Sequence, residues 1–117
     1  MNEEQFTLDA LNQVRASRGA STIHQLPSGS RHDPSKCVVA RALFDIDPTV
    51  LVYKEGIFTE NETFAKIIAR SFNYDTNSVQ FSEEENLPRY FVPTPYKMCR
   101  FIDDFDTGLY PELVASK

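Results

Sequence analysis

The run Thr49-Val50-Leu51-Val52-Tyr53-Lys54-Glu55-Gly56-Ile57-Phe58-Thr59 carries the reading of the fold. Five consecutive β-forming residues after Pro48 predict a buried strand over 49–53. Glu55-Gly56 is a turn signal, so Ile57 and Phe58 are expected to return as a short partner strand. Thr59 with Glu62 then has the spacing of a capping box, and Phe64, Ile67, Ile68 and Phe72 supply a helical face behind it. Two strands running directly into an amphipathic helix favour an α+β domain over an all-α bundle, which is the reserve reading.

Upstream, Thr7 has the chemistry of a helix cap, with Phe6 and Leu11 placed to staple across it and Leu8, Leu11 and Val14 on one face until Gly19. Thr22 and Ile23 suggest an extended piece between Ala20 and Leu26, closed by Pro27 and Gly29. Asp33 as cap and Pro34 at the first helical position predict a second helix, whose stripe is Val38, Val39, Ala42, Leu43 and Ile46 and whose stop is Asp47-Pro48. Downstream, residues 73–87 read as a polar loop with a weak strand near Val79 and Phe81, and 89–92 as another short strand. Thr94-Pro95 repeats the cap-plus-proline start, and Met98, Phe101, Ile102 and Phe105 face inward until Gly108 and Pro111. The expectation is one domain over residues 1–117, with about four helices and a small sheet of short strands. Val39, Leu43, Val50, Val52, Ile67, Ile68 and Ile102 should share its core.

A chain of 117 residues can bury roughly two thirds of its unfolded surface, so it needs neither metal nor disulfide to hold one core. The aromatic content is Phe and Tyr without Trp, which predicts aromatic-rich packing. No apolar run approaches the ~20 residues that span a bilayer, and Met1-Asn2-Glu3-Glu4 is unlike a secretory signal, so a cytoplasmic, intracellular protein without a membrane role is expected. Cys37 and Cys99 are then reduced thiols. The net charge of −5 is unevenly spread. Arg15, Arg18, Arg31, Lys36 and Arg41 face the single acid Asp33 over 10–41, whereas 42–117 holds seven cations against thirteen acids. Such bipolarity suits steered association or self-association, including a homodimer, better than plain nucleic-acid binding.

Four groups of residues carry candidate chemistry. Ser28, Ser30, Arg31 and Lys36 can donate to an anion beside the first N–H groups of the second helix, although Asp33 competes for those groups and adds negative charge. Cys37 lies near His32, Lys36 and Arg41, which would favour thiolate, while its apolar neighbour Val38 points to a packed thiol. His24, His32, Cys37 and Cys99 lack the spacing of a zinc site, so no metal or other cofactor is expected. Asp103, Asp104 and Asp106 crowd the C-terminal end of the last helix, where the macrodipole disfavours them, and with Glu83, Glu84 and Glu85 they form the candidate partner-binding surface. Asp106-Thr107-Gly108 matches the aspartic-protease tripeptide by chance, since no strand leads into it.

The string Leu26-Pro27-x-Gly29-x-Arg31-x-Asp33-Pro34-x-x-Cys37-x-x-Ala40-Arg41-Ala42-Leu43 resembles a pattern in short uncharacterised proteins of bacteria and their phages. It covers under a fifth of the chain. The resemblance implies a prokaryotic or phage origin and an intracellular life, and no activity. The expected function is that of a small acidic interaction protein, a regulator or inhibitor that binds the basic surface of a host or cellular protein without catalysis. The alternatives are nucleic-acid binding through the basic 10–41 region and a thiol- or metal-dependent enzyme around Cys37.

Overall fold

The computed structural model describes residues 2–84 and 87–115, so the expected contact residue Glu85 lies outside the described residues. Helix α1 (Glu3–Ser17) is followed by α2 (Val38–Leu43), a hairpin of β1 (Leu51–Tyr53) and β2 (Gly56–Thr59), and α3 (Glu62–Ser71). A second hairpin, β3 (Gln80–Glu84) and β4 (Leu87–Pro93), leads into α4 (Tyr96–Asp106). The four strands form one antiparallel sheet in the order β1-β2-β4-β3, which makes the fold α+β.

Registers Val52↔Ile57 and Ile57↔Val92 line those three residues up on one sheet face, where all are buried. α3 packs on β2 and β4 from that side, and α1 packs on α3 and α4. Phe64, Ile68, Met98, Phe101, Ile102 and Phe105 close the core between them. Of the seven residues expected to share it, six are buried, and Ile67 is half-buried against its edge. Three of the helices, α1, α3 and α4, end by one device. Gly19, Asn73 and Gly108 have φ of 79°, 65° and 94°, and the N–H groups after each helix turn back onto its last carbonyls.

The helix starts differ from expectation. Asn2 caps α1 by accepting from Gln5 N at 2.7 Å, so Thr7 sits a full turn inside, buried, with its hydroxyl unpartnered among the described residues. Asn61, not Thr59, caps α3, because the Thr59 hydroxyl donates instead to buried Asp47. Thr94 likewise donates to Lys54 O and leaves α4 to start without a side-chain cap. Asp33 does organise its own turn, accepting from Ser35 N at 3.0 Å, but extended Cys37 (ψ 171°) breaks the helix there and α2 begins only at Val38. Residues 20–26 form no strand. The Asn12 side chain takes the part of a neighbouring strand, donating to Ile23 O and accepting from Ile23 N. β1 is an edge strand with Tyr53 42% exposed, not a buried one, because the helices cover only one face of the sheet.

Candidate functional site

Gly29 fixes the loop that the sequence singles out. A Cβ on it would strike Val38 N and stand 2.6 Å from the carbonyl carbon of Cys37, so only glycine lets the two backbones touch. Its N–H donates to Leu113 O at 2.8 Å and its carbonyl accepts from Ala115 N at 2.9 Å, a short parallel bridge that pins the loop to the C-terminal segment. Ser30 N then donates to Lys36 O, and His32, at φ 59°, donates its N–H to Asp106 Oδ1 at 2.9 Å. The basic loop therefore folds directly onto the acidic end of α4.

The expected anion donors do not converge. Ser35 N and Lys36 N are already taken by Asp33, Arg31 reaches toward Gly108, and Lys36 lines a separate hollow with Arg41 and exposed Phe44. The basic region also loses a member, because Arg15 is buried and paired with Asp45.

The acidic triad splits. Asp103 and Asp106 line a cleft of about 370 Å³ between the loop, the β1–β2 turn and α4, joined there by Asp33 and Glu55. Lys54, 3.7 Å from Asp103, is the ammonium in that wall. Asp104 points elsewhere, toward Glu3 and Tyr110. Burial and the hydrogen bond and charge of Asp104 push the Glu3 carboxyl above the ordinary range, while Arg100 acts in the opposite sense. Glu83 lies on β3 and lines neither this cleft nor the aromatic hollow described below.

Cys37 also lines the cleft. Burial pushes its thiol up to about 11, with Asp106 and Asp33 adding to the rise, so at neutral pH it is a protonated thiol. A test is alkylation of the native protein at neutral pH, read by peptide mass. Half-buried Cys99 is expected to label first, and Cys37 only after unfolding. Labelling of native Cys37 at the rate of a free thiol would restore it as a nucleophile. Among the described residues no group of three or more His, Cys, Asp or Glu is placed to hold a metal ion. Nor, among the described residues, is any helix long and apolar enough to cross a membrane.

Sequence reasoning missed the outer face of the sheet. Leu51, Tyr53, Phe58 and Phe91 share it through the registers Leu51↔Phe58 and Phe58↔Phe91. The Phe58 ring meets Tyr53 edge-on at 5.8 Å and Phe91 at 4.8 Å. Gly56 makes room for this, because the Phe91 ring lies across the space its side chain would fill. With Arg89 and Ser82 these rings line a hollow of about 290 Å³. Tyr53 and Glu55 belong to both hollow and cleft, so the aromatic face runs around the β1–β2 turn into the acidic cleft. No spacing within one strand signals it, since the three rings come one each from β1, β2 and β4 and meet only through the pairing of those strands. Compared with family models, curated proteins and solved structures, the chain finds no match in any of the three.

Proposed function

We propose that the protein is a non-catalytic binding protein, a regulator by occupancy, whose sheet face and adjoining cleft dock on a basic protein partner. The carrying observation is the shared wall of Tyr53 and Glu55, which joins three touching aromatic rings to a cleft in which Asp33, Glu55, Asp103 and Asp106 face Lys54. Half-exposed aromatics in contact supply the desolvated anchor on which interface energies concentrate, and the carboxylates supply the sign of the partner. A protonated, buried Cys37 supports a binding role for the cleft over a nucleophilic one.

The aromatic face with Arg89 also has the chemistry of a stacking platform for single-stranded nucleic acid, but a chain of charge −5 repels phosphate. The test runs both. A photo-crosslinker placed at Phe58 is expected to capture a basic protein from lysate of the source cells. The capture should fall at least tenfold on Tyr53→Ala, weaken on Asp103→Asn and persist with Asp9→Asn, a control on α1. An oligothymidylate at about 150 mM salt should show no binding below about 100 μM. Micromolar oligonucleotide binding lost on Tyr53→Ala would overturn the protein-partner reading, as would capture indifferent to Tyr53→Ala.

A further inference from the structure

We propose that the outer edge of β3 is a strand-addition site for an extended basic segment of a protein partner. The sheet has two edges and they are treated differently. The edge at β1 is closed, because Val52 N donates to Pro34 O at 2.8 Å and the loop runs along it. At β3, β4 supplies the only backbone pairing found among the described residues, so the far side presents a row of N–H and C=O groups. No helix covers it. Phe81 is 58% exposed, with the Tyr90 ring at 5.2 Å.

The edge is also ready to pair. Its five residues keep an unbroken register with β4, from Gln80↔Phe91 to Glu84↔Leu87, without a bulge. They include neither the proline nor the lysine that natural edges use as blockers. The short 3₁₀ turn Thr76–Ser78, capped by Asp75 through Asn77 N at 2.9 Å, fixes how the chain enters. Five residues offer about 17 Å of template, the length of an ordinary strand.

Charge selects the occupant. Phe81 and Glu83 alternate on one face of the strand, Gln80 and Ser82 on the other, where Arg89 stands beside Ser82. An incoming strand therefore gains from an apolar residue next to Phe81, a lysine or arginine next to Glu83, and neutral residues outward, away from Arg89. A second copy fits poorly: it would bring another Glu83 and another net −5 to the same joint. This goes beyond the cleft reading, because Phe81 and Glu83 line neither the cleft nor the aromatic hollow.

The probe is an acetylated eight-residue peptide alternating threonine with valine and lysine, titrated into the full chain and followed by backbone amide resonances. Two further peptides are N-methylated, one at every threonine and one at every valine and lysine, so that each loses the donors of one strand edge. The parent is expected to bind, to move the Gln80 to Glu83 amides and to weaken as salt rises. One methylated peptide should lose at least tenfold while the other keeps its affinity, and Glu83→Lys, checked for an unchanged circular dichroism spectrum, should lose at least tenfold. Equal binding by both methylated peptides would reduce the effect to side-chain attraction and overturn the proposal. Absence of saturation at millimolar parent peptide, or self-association through β3 without peptide, would overturn it as well.

Discussion

Gly29→Ala is expected to lower stability by about 3 kcal/mol, the upper end for an overpacked site, and the melting temperature by about 10 °C. The added methyl meets backbone on three sides, Val38 N, the Cys37 carbonyl carbon at 2.6 Å and Lys36 O at 2.9 Å, none of which can rotate away like a side chain. Moving Gly29 instead pulls its N–H and carbonyl from Leu113 and Ala115. Gly19→Ala provides the contrast: its φ of 79° is strained for alanine but its Cβ would meet nothing, so about 1 kcal/mol is expected. Urea unfolding of the two variants measures the difference. Equal losses would mean that the close approach at Gly29 does not exist in solution.

Arg15→Met should cost about as much, roughly 3 kcal/mol, for a different reason. The guanidinium donates to Ser21 O at 2.6 Å, to Ala42 O at 2.7 Å and through two nitrogens to Asp45 at 2.8 and 3.0 Å. Methionine fills much of the space and satisfies none of those acceptors, leaving the buried Ala42 carbonyl without its donor. Asp45→Ala should cost under about 1 kcal/mol, because its side chain is 60% exposed against 8% for Arg15 and water replaces the lost pairing. The hydrogen bond from Arg15 holds the Asp45 carboxyl below its ordinary range. Its contribution is therefore present above the unfolded carboxylate value and lost as pH falls through the lower folded one. In Arg15→Met that part of the acid dependence should vanish, which denaturation at pH 7 and at pH 3 would show.

The helices and strands were legible where apolar spacing alone decides them. The faces of α3 and α4 and the β1–β2 hairpin follow from period and turn chemistry, and each is realised in the core. Caps were not legible, and the threonines show why. Thr7, Thr59 and Thr94 each precede a plausible helix by the right interval, yet Thr59 is held by Asp47 and Thr94 by Lys54, while Asn2 starts α1 early enough to leave Thr7 inside it. A hydroxyl that serves a distant partner looks in sequence like one that serves its own helix. The site was half legible for the same reason. The loop around Arg31 and the acids of α4 were recognised separately, but their junction is a His32–Asp106 bond across 74 residues, which no local pattern records. The aromatic face was hidden because Phe58 and Phe91 become neighbours only once β2 and β4 pair.

The bridge between Gly29 and Val114 gives the chain an order of assembly. Leu26 to Cys37 are synthesised early, but the acceptor and donor that hold Gly29 arrive with Leu113 and Ala115, after every strand and after α4. Contacts of such long sequence separation form late, since the intervening chain must be ordered before they repay their closure entropy. A nascent chain can thus settle its hairpins and α3 while the loop at Gly29 is still unpinned. Breaking that bridge is therefore expected to loosen the Gly29 loop, and with it the Lys36 to Val38 backbone that Gly29 touches, before the hairpins and α3 are disturbed.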